Sequence, residues 1–269
     1  MLHSTHDTRR AISWNRRTRP RSSTLLHLSA IVLCAALTLF PLVADAAIAR
    51  DSSATFSGIS GTTGTLASAY AIGSPNNVLV VCDINTKNAV GNVTSITENG
   101  TAMTLADQNA FVAAVGVLYV YVAANVTSPV AIVEHQTDGT QGNYGVIDSL
   151  TGGSVTQPDS HTPGTGSSIT GFTSGTTPVA ANSWAIQCGG DSTTATSPGT
   201  GSNTVQAWSA SSGMWLYDSN GPVTAGSNYA MQTTGPTANY SWDEITIAPV
   251  ASAAASFFEG PQWNVQFIL

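Results

Sequence analysis

From residue 47 to about residue 250, apolar residues recur at every second position in short runs, and no stretch of ten or more residues carries the spacing of a helix. Such alternation sends successive side chains to opposite faces, so each run can bury one face in a shared core only as a strand. The runs are Thr65 to Ile72, Val78 to Ile84, Val93 to Glu98, Thr101 to Leu105, Val112 to Val122, Val130 to Glu134, Tyr144 to Leu150, Ser168 to Phe172, Ser183 to Cys188, Thr204 to Trp208, Met214 to Tyr217, Tyr229 to Thr233 and Tyr240 to Ile247. About a dozen brief strands separated by Gly, Pro, Asn and Ser predict an all-β fold. The expected architecture is a two-sheet antiparallel sandwich, of which the jelly roll is one form.

Some local detail is also legible. Asn99-Gly100 supplies the positive φ angles of a tight turn, which makes the two runs around it a β-hairpin. Val117 to Val122 is apolar on both alternating faces and reads as a central strand. The Gly-, Thr- and Pro-rich stretch Thr151 to Gly166 and residues 189 to 203 read as long surface loops. The turns have no fixed period, which argues against a solenoid.

Ahead of this region lies a basic head followed by an apolar run. Six of the eight basic residues precede residue 22, Leu25 to Phe40 is apolar, and Ala44-Asp45-Ala46 provides a small-x-small site. These are the parts of a secretory signal peptide. The division expected is a signal peptide over 1–46, a β-sandwich domain over 47–250 and a linker with a C-terminal tail over 251–269. An uncleaved anchor is the competing reading, because Leu25 to Val43 approaches the roughly 20 residues that span a bilayer. Pro41 and the Ala-Asp-Ala site favour cleavage, and the expected address is secreted, extracellular or cell-surface.

Export bears on the cysteines and the charge. Cys82 and Cys188 each end an apolar run, and two buried cysteines on strands pair readily in an oxidising compartment. From Ala47 onward the chain holds thirteen acids and only two cations, Arg50 and Lys87, a net charge of −11. Two cations cannot neutralise a run of phosphates, which excludes nucleic acid as a partner.

The order of Asn77 to Val81, Val93 to Thr104, Leu118 to Tyr121 and Tyr240 to Ile247 resembles a broad group of secreted bacterial β-sandwich domains, jelly-roll-like and without an assigned activity. The likeness covers about residues 53 to 250. It implies export and fold, and it brings no catalytic residues.

Chemistry-bearing patterns are sparse. Gly-x-Ser-x-Gly, HExxH, paired CxxC and a phosphate-cradling Gly-x-x-x-x-Gly-Lys are all missing from the sequence. His135 stands between Glu134 and Asp138, where two acids could raise an imidazole, though a solvated strand end explains the same residues. Asp138 to Asn143 places oxygen ligands, Asp138 and Asn143 among them, on a Gly-rich turn that suits a weakly held calcium ion or a plain turn. Asp243 and Glu244 are adjacent, so an extended strand points them to opposite faces; a glycosidase pair would need one of them to meet another acid in space. Trp208, Trp215 and Tyr217 form the candidate glycan-binding set, with Trp208 and Tyr217 expected to be exposed.

The leading expectation is a non-catalytic surface or extracellular module for adhesion, envelope structure or glycan binding, whose partner is a glycan or a surface protein. The alternatives are a secreted glycoside hydrolase or lyase with paired carboxylates, and a self-assembling surface subunit in which Trp263 to Leu269 adds a strand to a neighbour's sheet.

Overall fold

The computed structural model describes residues 47–251, apart from 60, 74–75, 88, 111–115, 140–141, 193–195 and 210–212, with backbone only for 203–209. The leader and the Trp263 to Leu269 run lie outside the described residues. Among the described residues every regular element is a strand.

The first nine strands are β1 (Ala49–Ser57), β2 (Thr63–Tyr70), β3 (Val78–Asn85), β4 (Val93–Glu98), β5 (Thr101–Ala102), β6 (Thr104–Ala110), β7 (Val117–Ala124), β8 (Val130–Gln136) and β9 (Asn143–Thr151). They build a five-stranded sheet in the order β1-β9-β3-β7-β6 and a four-stranded sheet in the order β2-β8-β4-β5. The pairings nest: β1 with β9, β2 with β8, β3 with β7, and β4 with β5. A hairpin ribbon rolled over on itself produces this order, and it is the jelly roll. The Asn99-Gly100 turn closes the ribbon, with φ of 46° and 85° at the two residues. The run expected over Thr101 to Leu105 breaks at Met103, because β5 stays with β4 while β6 crosses to pair with β7.

The second half contains β10 (Ser160–Thr176), β11 (Trp184–Asp191), β12 (Ser197–Pro198), β13 (Asn203–Ser209), β14 (Gly213–Asp218) and β15 (Tyr229–Ile247). These form a six-stranded sheet, β10-β15-β11-β14-β13, with β12 against β15. The antiparallel sandwich is therefore present, with three layers where the sequence suggested two. The reason lies in the three inner strands of the five-stranded sheet, β9, β3 and β7, which are buried on both faces and need a cover on each. Val78, Val80, Cys82 and Ile84 of β3 pack on Ile186, Leu216 and Ile245 of the six-stranded sheet. Leu79 and Val81 point the other way, toward Ile96, Val130 and Ile132 of the four-stranded sheet. Each such side chain contributes roughly 1.5–3 kcal/mol by burial. β7 is buried on both faces as expected, yet β3 is the middle strand of the five.

The expected loops at 151–166 and 189–203 are partly strand. β10 begins at Ser160 because it is an exposed edge, where pairing with β15 rather than apolar alternation holds the backbone. Two glycines there and in β11 have a packing role. A Cβ on Gly164 would lie 2.3 Å from the Trp242 ring, and one on Gly189 would lie 2.2 Å from the Trp215 ring. Each glycine sits directly opposite its tryptophan on the neighbouring strand, so the bare backbone is the seat of the indole.

Candidate functional site

The six-stranded sheet and its neighbours collect carboxyl groups where apolar side chains would be usual. Of the twelve acids among the described residues, seven are buried: Asp83, Glu134, Asp148, Asp191, Asp218, Asp243 and Glu244. They fall mainly into clusters set by strand alternation.

Asp83 and Glu134 meet between the five- and four-stranded sheets. Asp83 follows Leu79 and Val81 on one face of β3, and Glu134 follows Val130 and Ile132 on the inward face of β8. The Asn143 side-chain amide donates to Glu134 Oε2. Burial, and then the charge of Glu134, push Asp83 well above the carboxylate range, while burial lifts Glu134 to about 7. His135 points away from this pair, since alternation on β8 turns it outward beside Thr63.

Asp148 of β9 and Asp218 of β14 face one another across the other interface, with Arg50 of β1 ion-paired to Asp218. Asp148 is raised to about 8 by burial, which the Arg50 charge only partly offsets. Burial also raises Asp218 in spite of its Arg50 partner.

A third cluster occupies the seam where β6 meets β10 and β15. His161 Nδ1 lies 3.7 Å from Asp243 Oδ1, and the two side chains are 41% and 0% exposed. Burial, followed by the charge of Asp107, raises Asp243 to about 8. The seam is tied by Asn109, whose amide donates to Gly164 O at 3.0 Å, and by Ser241, whose hydroxyl donates to Asn109 O at 3.2 Å.

Glu244 points to the opposite face, as its adjacency to Asp243 requires. Ser174 Oγ donates to Glu244 Oε2. Gln187 Nε2 donates to Ser174 Oγ at 2.6 Å, and Trp215 Nε1 donates to Gln187 Oε1 at 3.0 Å. Burial raises Glu244 to about 7.

Every pair in these clusters includes at least one carboxyl with no exposed surface. A glycosidase pair must flank the scissile bond. These buried acids stand inside the layers, so the pairs they form do not face a substrate.

The other sequence-derived candidates are dispersed. Trp215 and Tyr217 are fully buried, which overturns the exposed position expected for Tyr217; both belong to an aromatic core with Tyr240 and Met231. The longer strands β10 and β15 cover this face of the sheet, a covering that local composition does not reveal. The backbone of Trp208 lies in β13, and its side chain lies outside what is described. Asp138 is held by Lys87 Nζ at 2.6 Å near the surface, whereas Asn143 is turned inward. Among the described residues, no three or more His, Cys, Asp or Glu side chains are grouped to hold a metal ion.

The half-buried aromatic pair is a different one. Phe172 of β10 and Trp242 of β15 stack with centroids 3.9 Å apart and planes at 14°. The signal available in sequence was Gly164, but its register with Trp242 is visible only once the strands are paired.

No protein-family model matches the chain, and no curated protein matches it in sequence.

Proposed function

We propose that the chain is a non-catalytic exported module of the cell surface or extracellular space, acting in adhesion or envelope structure. The observation that carries this reading is the Cys82–Cys188 disulfide, which joins β3 to β11 inside the interface of two sheets. Disulfides of this structural kind belong to oxidising compartments and are rare where thiols are kept reduced. The interior position of the paired acids favours a structural role over hydrolysis. Fractionation of cells expressing the full chain tests the proposal. The expected product starts near Ala47, lies outside the cytoplasm and has Cys82 linked to Cys188. A protein retained in the cytoplasm with both thiols free would sink it.

Glycan binding is the branch favoured by a specific observation, the partly exposed Phe172–Trp242 stack. Flat rings suit the C–H faces of sugars. A glycan array should give a signal that Trp242→Ala removes while the protein stays folded. Silence across the array would leave adhesion or envelope structure without a sugar ligand.

A further inference from the structure

We propose that this domain is built to be most stable in an acidic medium, holding Asp148, Asp243 and Glu244 as neutral acids in its interior. The inference rests on burial and on the supply of partners, and it is independent of what the module binds.

An ionised carboxylate can be buried only if a cation or several donors replace its water. From residue 47 onward, Arg50, Lys87, His135 and His161 are the only side chains able to carry positive charge. Lys87 is engaged with Asp138 and Arg50 with Asp218. Among the described residues no donor meets hydrogen-bond geometry at either carboxyl oxygen of Asp148 or Asp243, or at Oε1 of Glu244; the Ser149 and Thr162 backbone amides act on the two aspartates more loosely.

At each acid some neighbours favour the charged form, and burial outweighs them. Asp148 is within electrostatic reach of Arg50 and Asp51 on β1, Asp218 on β14 and Tyr70 on β2. Arg50 and the Ser149 backbone amide favour its charged form, and burial outweighs both. Asp243 has Asp107 of β6 and His161 of β10 beside it and the disulfide-bonded Cys188 opposite, with the Thr162 backbone amide favouring its charge and Glu244 opposing it from the other face of the strand. Glu244 faces Ser174 and the Thr176 amide from β10, the neutral Gln187 from β11, and Tyr229 along β15, while Asp243 points to the other face. Burial dominates at all three, lifting Asp148 and Asp243 to about 8 and Glu244 to about 7.

The sign follows from linkage. In the unfolded chain these groups titrate near ~4, so the fold binds their protons more tightly. The resulting stability is fully present below about pH 4 and is lost as the pH climbs through the folded values. Acid normally unfolds proteins by protonating paired carboxylates and leaving cations to repel. Here acid leaves at most four charged side chains on the domain, and among the described residues the ion pairs between permanent cations and acids that it would loosen are the part-exposed Arg50–Asp218 and Lys87–Asp138.

The test is thermal unfolding of the processed, disulfide-intact chain from about pH 3 to about pH 9 at fixed ionic strength. The expected result is a maximum Tm in acid and a fall on the order of 10 °C by pH 8. Asp148→Asn, Asp243→Asn and Glu244→Gln should each shrink that fall. Because an amide variant can misfold, a wild-type measurement accompanies it: urea unfolding near pH 6.5 should release protons to the medium. A Tm that peaks near neutrality and drops in acid, or net proton uptake on unfolding, overturns the proposal. So does a Tm rise with millimolar calcium at pH 7 that the Asp148 or Asp243 variant abolishes.

Discussion

Cys82 on β3 and Cys188 on β11 lie with their Cα atoms 5.8 Å apart across the interface of the five- and six-stranded sheets, linking positions separated by 106 residues. A crosslink spanning so much chain restricts the unfolded state strongly. The double variant Cys82→Ala, Cys188→Ala should lose about 4–5 kcal/mol, as loop closure of ~100 residues implies. Urea titration of the variant against the wild type measures the loss. A difference below 1 kcal/mol would mean that packing alone holds the sheets together.

The seat of Trp215 provides a second test. A Cβ at Gly189 would lie 2.2 Å from the indole, and that indole donates to Gln187, the centre of the network reaching Glu244. Gly189→Val should push the ring from its place and cost about 2–4 kcal/mol, combining overpacking with a lost buried hydrogen bond. Tryptophan emission should shift to longer wavelength, and retention of the wild-type spectrum at full stability would refute the packing role.

Leu118 is 1% exposed in β7, a strand covered on both sides. Leu118→Asp places a carboxylate among Val80, Val120 and Leu216 with no cation at hand, and it should abolish folding at neutral pH. Leu118→Met preserves volume and should cost less than about 1.5 kcal/mol. Yield of soluble protein and near-UV circular dichroism separate the two outcomes.

The strand content and the hairpin at Asn99-Gly100 were readable because alternation and turn chemistry are local. The third layer was implicit in Val78–Cys82, whose uninterrupted apolar character requires cover on both faces, although the partner sheet could not be assigned. Of β10 only Ser168 to Phe172 was legible, and its first part read as loop, since an edge strand such as Ser160–Thr176 needs no apolar alternation, its hydrogen bonds to β15 being enough. The carboxyl clusters were invisible for a related reason. Asp148 and Asp218 are far apart in the chain, and only the register of β9 against β3 and of β14 against β11 turns them inward together. Tyr217 looked exposed beside a Ser- and Gly-rich run, because nothing nearby in sequence announces that β10 and β15 extend over it.

Arg50 gives a prediction whose sign depends on pH. It is the cation paired with Asp218 and the charge that partly offsets the burial of Asp148. Arg50→Met removes that charge while keeping much of the apolar stem, so both acids would hold their protons more tightly in the folded state. The penalty must then be absent below about pH 4, where both carboxyls are neutral in either state, and must grow as the pH rises. Arg50 is 32% exposed on its side chain, so solvent screens the pair, and the expected cost at pH 8 is about 1–3 kcal/mol rather than the full value for a sealed ion pair. Urea titrations of the wild type and Arg50→Met at pH 4 and pH 8 provide the comparison. An equal loss at both pH values would assign Arg50 a packing role and detach it from the two carboxyls.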